Sequence, residues 1–173
     1  SKLEKKIAEF KEEGIEDGMN DVVAVVTQPG VEFGDDQVFL YDHDAATELC
    51  AALNEFPEVC FEGHSTDYQS KECLKRMVED GIAILKVGPA LTYGLRESLF
   101  SLSMMEKELV PEEKQARFIE TLEKVMLEKP DNWKKHYHGD EKQLALCRKY
   151  SFSDRCRYYI GLPEVVESIN KLF

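Results

Sequence analysis

The sequence predicts an α/β fold built on a parallel sheet, and three observations lead there. Short runs of β-branched and aliphatic residues begin at Val22, Val59 and Ile82. Segments of helical period separate them, each interval long enough for one crossover helix. Every run then ends in glycine, proline or polar residues, as strands do at the C-terminal rim of a parallel sheet.

The elements follow in order. Residues 2–14 make an amphipathic helix with Leu3, Ile7, Ala8 and Phe10 near one face and Gly14 as its stop. Val22 to Thr27 is a continuous apolar run, the pattern of a strand covered on both faces. Gln28-Pro29-Gly30 breaks it. Asp42 or Asp44 caps a helix running to about Phe56, closed by Pro57. Val59 to His64 is the second strand. Ser70 caps a helix to Asp80, with Gly81 beyond its end. Ile82 to Val87 is the third strand, ended by Gly88-Pro89. Thr92 caps a long helix through Leu95, Leu99, Leu102 and Met105. After Pro111 the chain is helical, with segments at 112–128, around 131–137, at 140–149 and at 163–172.

Composition limits what the chain does. It has 173 residues, 22 basic and 34 acidic side chains and a formal net charge of −12. That balance opposes binding to a nucleic-acid backbone or to anionic lipid. Hydrophobic residues make up 43%, enough for a packed core. No stretch is long and apolar enough to cross a bilayer, and the first residues do not read as a signal peptide. Cys50, Cys60, Cys73, Cys147 and Cys156 are odd in number and lack C-x-x-C spacing, which fits half-buried thiols in a cytoplasmic protein.

Three parallel strands leave two open edges, and the helix at 2–14 has no strand before it. The chain therefore reads as the C-terminal part of something larger, or as a half that docks on another chain. The isolated chain is expected to be no well-behaved monomer.

The candidate chemistry lies at the strand ends. Period-two alternation puts Cys60, Glu62 and His64 on one face of the second strand. It puts Ile82, Ile84, Lys86 and Gly88 on one face of the third. If both faces look inward, Glu62, His64 and Lys86 meet at one rim, with Glu62 and Lys86 as an ion pair and His64 as an acid–base group, hydroxyl binder or metal ligand. Gly88-Pro89-Ala90 and Thr92 resemble a phosphate seat before a helix, and Gln28 and Ser65 are further substrate-binding candidates. His136-Tyr137-His138 reads as surface. The aromatic and arginine-rich segment 150–159 reads as packing or subunit interface. P-loop, dinucleotide-binding and nucleophile-elbow motifs are lacking.

Several blocks carry a family resemblance. They are Val26-Thr27-Gln28-Pro29-Gly30-Val31-Glu32-Phe33, Glu62-Gly63-His64-Ser65-Thr66-Asp67-Tyr68-Gln69 and Ile84-Leu85-Lys86-Val87-Gly88-Pro89-Ala90-Leu91-Thr92. Glu123-Lys124-Val125-Met126-Leu127, Trp133-Lys134-Lys135-His136-Tyr137 and Tyr150-Ser151-Phe152-Ser153-Asp154-Arg155 extend the match. Together they resemble the GatZ/KbaZ family. The resemblance implies the last three strands of a (β/α)₈ barrel in residues 1–110 and a helical extension in 111–173. It implies an accessory subunit of D-tagatose-1,6-bisphosphate aldolase, in galactitol- or N-acetylgalactosamine-type sugar-phosphate catabolism. Its partners would be a catalytic class II aldolase subunit, further copies of itself and a sugar phosphate. The alternatives are a metal-dependent sugar-phosphate aldolase in its own right, with His64 helping to hold a divalent ion such as zinc, and the tagatose-6-phosphate kinase of older family descriptions. The missing nucleotide motif argues against the last.

Overall fold

The computed structural model describes residues 2–173, without the side chains of residues 2, 3, 16, 19 and 20. The chain runs α1 (Lys2–Glu12), β1 (Ala24–Thr27), β2 (Glu32–Phe33), β3 (Val38–Phe39), α2 (His43–Ala51), β4 (Cys60–Gly63), α3 (Lys71–Glu79) and β5 (Ile84–Leu85). Then come α4 (Pro89–Leu109), α5 (Phe118–Glu128), α6 (Glu141–Tyr150) and α7 (Pro163–Leu172). It forms two compact units. The first holds the residues up to Glu32 together with Val38–Val87; the second holds Phe33–Gln37 and Gly88–Phe173. The apolar face expected of the first helix is seen at the half-buried Ile7 and Phe10. Leu3 lies outside the described side chains.

In the first unit the sheet order is β1-β4-β5, all parallel. Val25 faces Phe61, and Val26, Glu62 and Ile84 lie side by side in register. One face carries Val25, Phe61 and Leu85 and packs with Val31, Tyr41, Met77 and Ile82 against α2 and α3. Burial of each such side chain contributes roughly 1.5–3 kcal/mol. On the other face Val26 is 55% exposed and Ile84 38%. The expectation of a first strand covered on both faces is therefore corrected: within this unit one face is covered.

The strands start two residues or one residue later than the apolar runs do, and β5 shows why. α3 is capped by Ser70, whose Oγ accepts from the Cys73 amide. It closes on Gly81, whose φ of 88° only glycine adopts without strain. The Gly81 amide donates to the Val78 carbonyl and the Ile82 amide to that of Met77. This six-to-one and five-to-two pairing terminates the helix. The Gly81 carbonyl already accepts from the Phe61 amide at 3.0 Å, but the Ile82 amide serves the helix end, and the paired strand itself starts at Ile84. Ile82 also turns to the covered side. A Cβ added at Gly63 would lie 2.8 Å from Ile82 Cγ2 and 3.3 Å from Met77 Cε. So Ile82 does not share the face of Ile84, contrary to the alternation expected.

A polar cluster ties α2 to α3. Asp42 caps α2 by accepting from the Asp44 and Ala45 amides. Tyr41 Oη donates to Asp80 Oδ2 at 2.8 Å, and His43 Nδ1 lies 2.7 Å from the same oxygen. Burial acts to raise the Asp80 carboxyl, but the hydrogen bonds from His43 and Tyr41 outweigh it and hold the group below its ordinary range. Burial and the Asp80 contact push the Tyr41 hydroxyl up.

The second unit is helical around Leu99, Phe118, Leu122, Val125, Trp133 and Tyr159. Its polar centre is a buried ion pair, Arg96 Nε to Asp154 Oδ1 at 2.7 Å, with side chains 2% and 0% exposed. The guanidinium lies over the Tyr93 ring, and it also donates to the Lys149 carbonyl. Removing one member of such a pair costs about 3–5 kcal/mol, because the other charge stays buried. Arg148 repeats the device between Glu123 and Glu141, over the Trp133 ring.

Two expectations for this unit are corrected. α4 starts at Pro89 with Gly88 as its N-cap, so Thr92 lies in the first turn and does not cap it. Proline is preset for the first helical position and has no N–H to leave unpaired there. The helix expected from 112 starts at Phe118, its Ala116 and Arg117 amides donating to the Glu106 carboxylate. Only a short 3₁₀ turn, Pro130–Asn132, opens the segment expected to be helical at 131–137. α6 begins with a reciprocal cap between Asp140 and Gln143, and α7 has Pro163 at its first position.

Two outcomes follow. Gly63→Ala should destabilise the protein by about 1–3 kcal/mol by overpacking against Ile82 and Met77; urea unfolding of the variant checks it, and an unchanged midpoint contradicts the packing. Asp80→Asn should cost about 1–3 kcal/mol at pH 7 through its lost charge-assisted hydrogen bonds. Because the folded-state carboxyl is depressed, its contribution is present above the unfolded value of about 3.9 and is lost as pH falls through the folded one. Wild type and variant should therefore converge in stability on titration toward pH 2; a gap that is constant with pH contradicts the assignment.

Candidate functional site

Parallel pairing brings the C-terminal ends of β1, β4 and β5 to one rim. The ladder continues past the strands: the His64 amide donates to the Thr27 carbonyl at 3.1 Å and the Lys86 amide to that of Gly63 at 3.0 Å. Residues 64–69 then form a tight loop in which Ser65 and Tyr68 have left-handed backbones, φ 58° and 63°. Non-glycine residues reach that region only when their surroundings hold them there. Here Thr66, Asp67 and Gln69 are buried anchors. Thr66 Oγ1 donates to the Lys86 carbonyl. The Gln69 amide group bridges the Tyr41 N–H and the Phe39 carbonyl, each at 2.9 Å.

Glu62 and His64 share a face, as alternation predicts, and touch: His64 Nε2 lies 2.9 Å from Glu62 Oε1. Both are about 30% exposed, open to a ligand yet held. With Nε2–H donated to the carboxylate, Nδ1 is the ring's acceptor. Lys86 is exposed, and the side-chain partner of Glu62 is His64. The expected Glu62–Lys86 ion pair is corrected: the imidazole two residues along the same strand face reaches the carboxylate first.

Gln28 and Ser65 are joined across the two strand ends. Gln28 Nε2 donates to Ser65 Oγ at 3.2 Å and to Glu32 at 2.9 Å. Glu32 was not among the residues singled out from sequence. Its signal was the four-residue spacing from Gln28 across Pro29 and Gly30, whose φ of 86° closes the turn. The Tyr41–His43–Asp80 cluster was missed as well, since its members lie far apart in the chain. Beside β1 an apolar cavity of about 310 Å³ is lined by Val25, Leu49, Leu53, Phe56 and Phe61, and also by Thr27 and Gln28.

In the second unit, Gly88, Pro89, Ala90 and Thr92 form the first turn of α4, and a Cβ at Gly88 would meet no atom within 4 Å. The Thr92 hydroxyl donates to Asp154 Oδ2 at 2.5 Å, so its single proton is engaged by the buried carboxylate. His136 and His138 are exposed on either side of the buried Tyr137. Slight desolvation by its neighbours, together with the positive charges of Arg155 and Lys135, lowers the His136 ring below its ordinary value.

A divalent ion at His64 would need further donors. Among the described residues no group of three or more His, Cys, Asp or Glu side chains is placed to hold a metal, and the near neighbour Glu62 is bonded to His64 itself. The described residues by themselves do not make up a metal site at His64. Among the described residues no helix is long and apolar enough to cross a membrane.

Comparison with known proteins extends these observations. The family model described as "D-tagatose-1,6-bisphosphate aldolase subunit GatZ/KbaZ-like" matches residues 1–173. The chain is 47% identical over 163 residues to the D-tagatose 6-phosphate 4-epimerase of Agrobacterium fabrum, covering 94% of this chain and 38% of that protein. It is 45% identical, with the same coverage, to the D-tagatose-1,6-bisphosphate aldolase subunit GatZ of Salmonella typhimurium. The crystal structure of a probable tagatose 6 phosphate kinase from Sinorhizobium meliloti 1021 superposes with a TM-score of 0.93 at 44% identity, over 96% of this chain and 43% of that one. The chain thus spans about two-fifths of the length of these relatives. Matched along its whole length by that family's model, the chain belongs to the GatZ/KbaZ-like family.

Proposed function

We propose that this chain supplies the last three strands of a (β/α)₈ barrel, in residues up to about 110, with 111–173 as a helical extension. The barrel would belong to an accessory subunit that supports a catalytic class II tagatose-bisphosphate aldolase by association. The observation that carries the reading is the parallel β1-β4-β5 sheet with acid–base and amide groups at its C-terminal rim, in a chain of this family. The half-exposed apolar face at Val26 and Ile84 fits the inner wall of a barrel closed by further strands. The greater length of the relatives supports it too.

The rim residues have two roles in this reading. Glu62 accepts from His64 Nε2 and orients the ring, which turns Nδ1 toward a ligand as an acceptor. Gln28 and Ser65 meet the sugar. In the second unit, taken by itself, the first turn of α4 at Gly88–Thr92 favours an anion such as phosphate through the helix dipole. Lys86, exposed at the end of β5, adds a cation for an anionic substrate.

A second reading is favoured by the Glu62–His64 contact itself, which is a built acid–base pair and more than a docking surface needs. In it the protein acts on a sugar phosphate directly, by aldol cleavage or by the 4-epimerisation named for the Agrobacterium fabrum relative. The kinase named for the Sinorhizobium meliloti relative draws no support from this chain's motifs.

Assay of the native protein separates the readings. Added to a catalytic aldolase subunit, it should raise the rate and lifetime of tagatose 1,6-bisphosphate cleavage, and His64→Ala should leave that support intact. Under the second reading the protein alone turns over D-tagatose 6-phosphate, and His64→Ala lowers that rate about 10²–10⁴-fold. Neither support nor turnover would overturn both.

A further inference from the structure

We propose that Glu32 is a positioning residue that locks the Gln28 side-chain amide, making the rim between β1 and β4 a subsite for sugar hydroxyls and not for phosphate. The inference rests on the sugar-phosphate reading above and deepens it. A carboxylate only accepts hydrogen bonds, so at 2.9 Å from Glu32 the Gln28 side chain must present its NH₂. The same NH₂ donates to Ser65 Oγ at 3.2 Å. Both amide donors are thereby directed at the protein, and Oε1, the other fork of the planar amide, is the atom left to meet a ligand. It can accept from a hydroxyl but offers a phosphate oxygen nothing. Ser65 Oγ, already an acceptor, has its own O–H to donate, and the left-handed backbone at Ser65 holds it opposite Gln28.

Charge points the same way. Glu32, in β2 and folded back onto Gln28, and Glu62, in β4, put carboxylates at this rim, each bonded to a rim side chain. A phosphate placed among them meets like charge, whereas a hydroxyl that donates to Oε1 and accepts from Ser65 completes both groups. A phosphorylated sugar would therefore enter with its hydroxyl end toward β1 and β4.

Two measurements on the native protein test this. In ¹⁵N-correlated NMR, the Gln28 side-chain amide, identified by its loss in Gln28→Ala, should have one proton shifted downfield by the Glu32 carboxylate. The shift should shrink in Glu32→Gln, whose side-chain oxygen still accepts but carries no charge, and vanish in Glu32→Ala; an amide pair indifferent to residue 32 overturns the lock without any ligand being involved. In calorimetry, Glu32→Gln should weaken D-tagatose 6-phosphate about tenfold, as expected for one lost hydrogen bond, and leave inorganic phosphate no weaker. Equal weakening of both, or of neither, overturns the hydroxyl subsite. Absence of wild-type binding to D-tagatose 6-phosphate overturns the functional reading and the ligand assigned here, while the NMR result still judges the lock.

Discussion

The parallel register of β1, β4 and β5 is the constraint on which the rest of the first unit depends. Because Val26, Glu62 and Ile84 lie side by side, the covered and open faces of the sheet are set together. A slip of one residue would carry Glu62 into the apolar layer in place of Phe61 and bring Phe61 to the open face. The same register aligns the three strand ends, so that the His64 amide reaches Thr27 and the Lys86 amide reaches Gly63. The rim groups inherit their proximity from backbone pairing.

The second unit solves a different problem, that of holding charge inside a helical core. Arg96 is compensated by Asp154, by a backbone carbonyl and by the Tyr93 ring. Asp154 in turn accepts from the Thr92 hydroxyl, which fastens the first turn of α4 to the 3₁₀ turn that follows Asp154. An anion attracted to this helix start would meet a turn whose geometry is already secured from behind. It would rely on backbone and dipole there, since the one hydroxyl of that turn is engaged.

Much of this was legible in the residues. The β-branched runs and their Gly/Pro endings gave the three strands of the parallel sheet and their direction, because a buried parallel strand needs apolar sequence; the two-residue strands β2 and β3 have no such run and were missed. Asp42 and Ser70 were readable as caps, since a side-chain oxygen before an apolar helical pattern has few other uses. The errors have a common origin in competition for backbone groups. Ile82 reads as a strand residue, yet its amide closes α3. Thr92 reads as a cap, yet Pro89 three residues earlier already fits the first helical position. Side-chain partners were the least legible. Glu62 had both His64 and Lys86 within reach of a strand-face argument, and only coordinates decide between them. Glu32 depended on a tight turn at Gly30 that folds it back onto Gln28.

We propose that the C-terminal rim of the parallel sheet is where this protein meets a sugar phosphate. Amide hydrogen exchange of the native protein, with and without D-tagatose 6-phosphate, tests it most directly. Slowed exchange at residues 27–33 and 64–69, with α5 to α7 unaffected, is the result predicted. Protection confined to α5–α7, or none at a saturating concentration of the sugar phosphate, would contradict it.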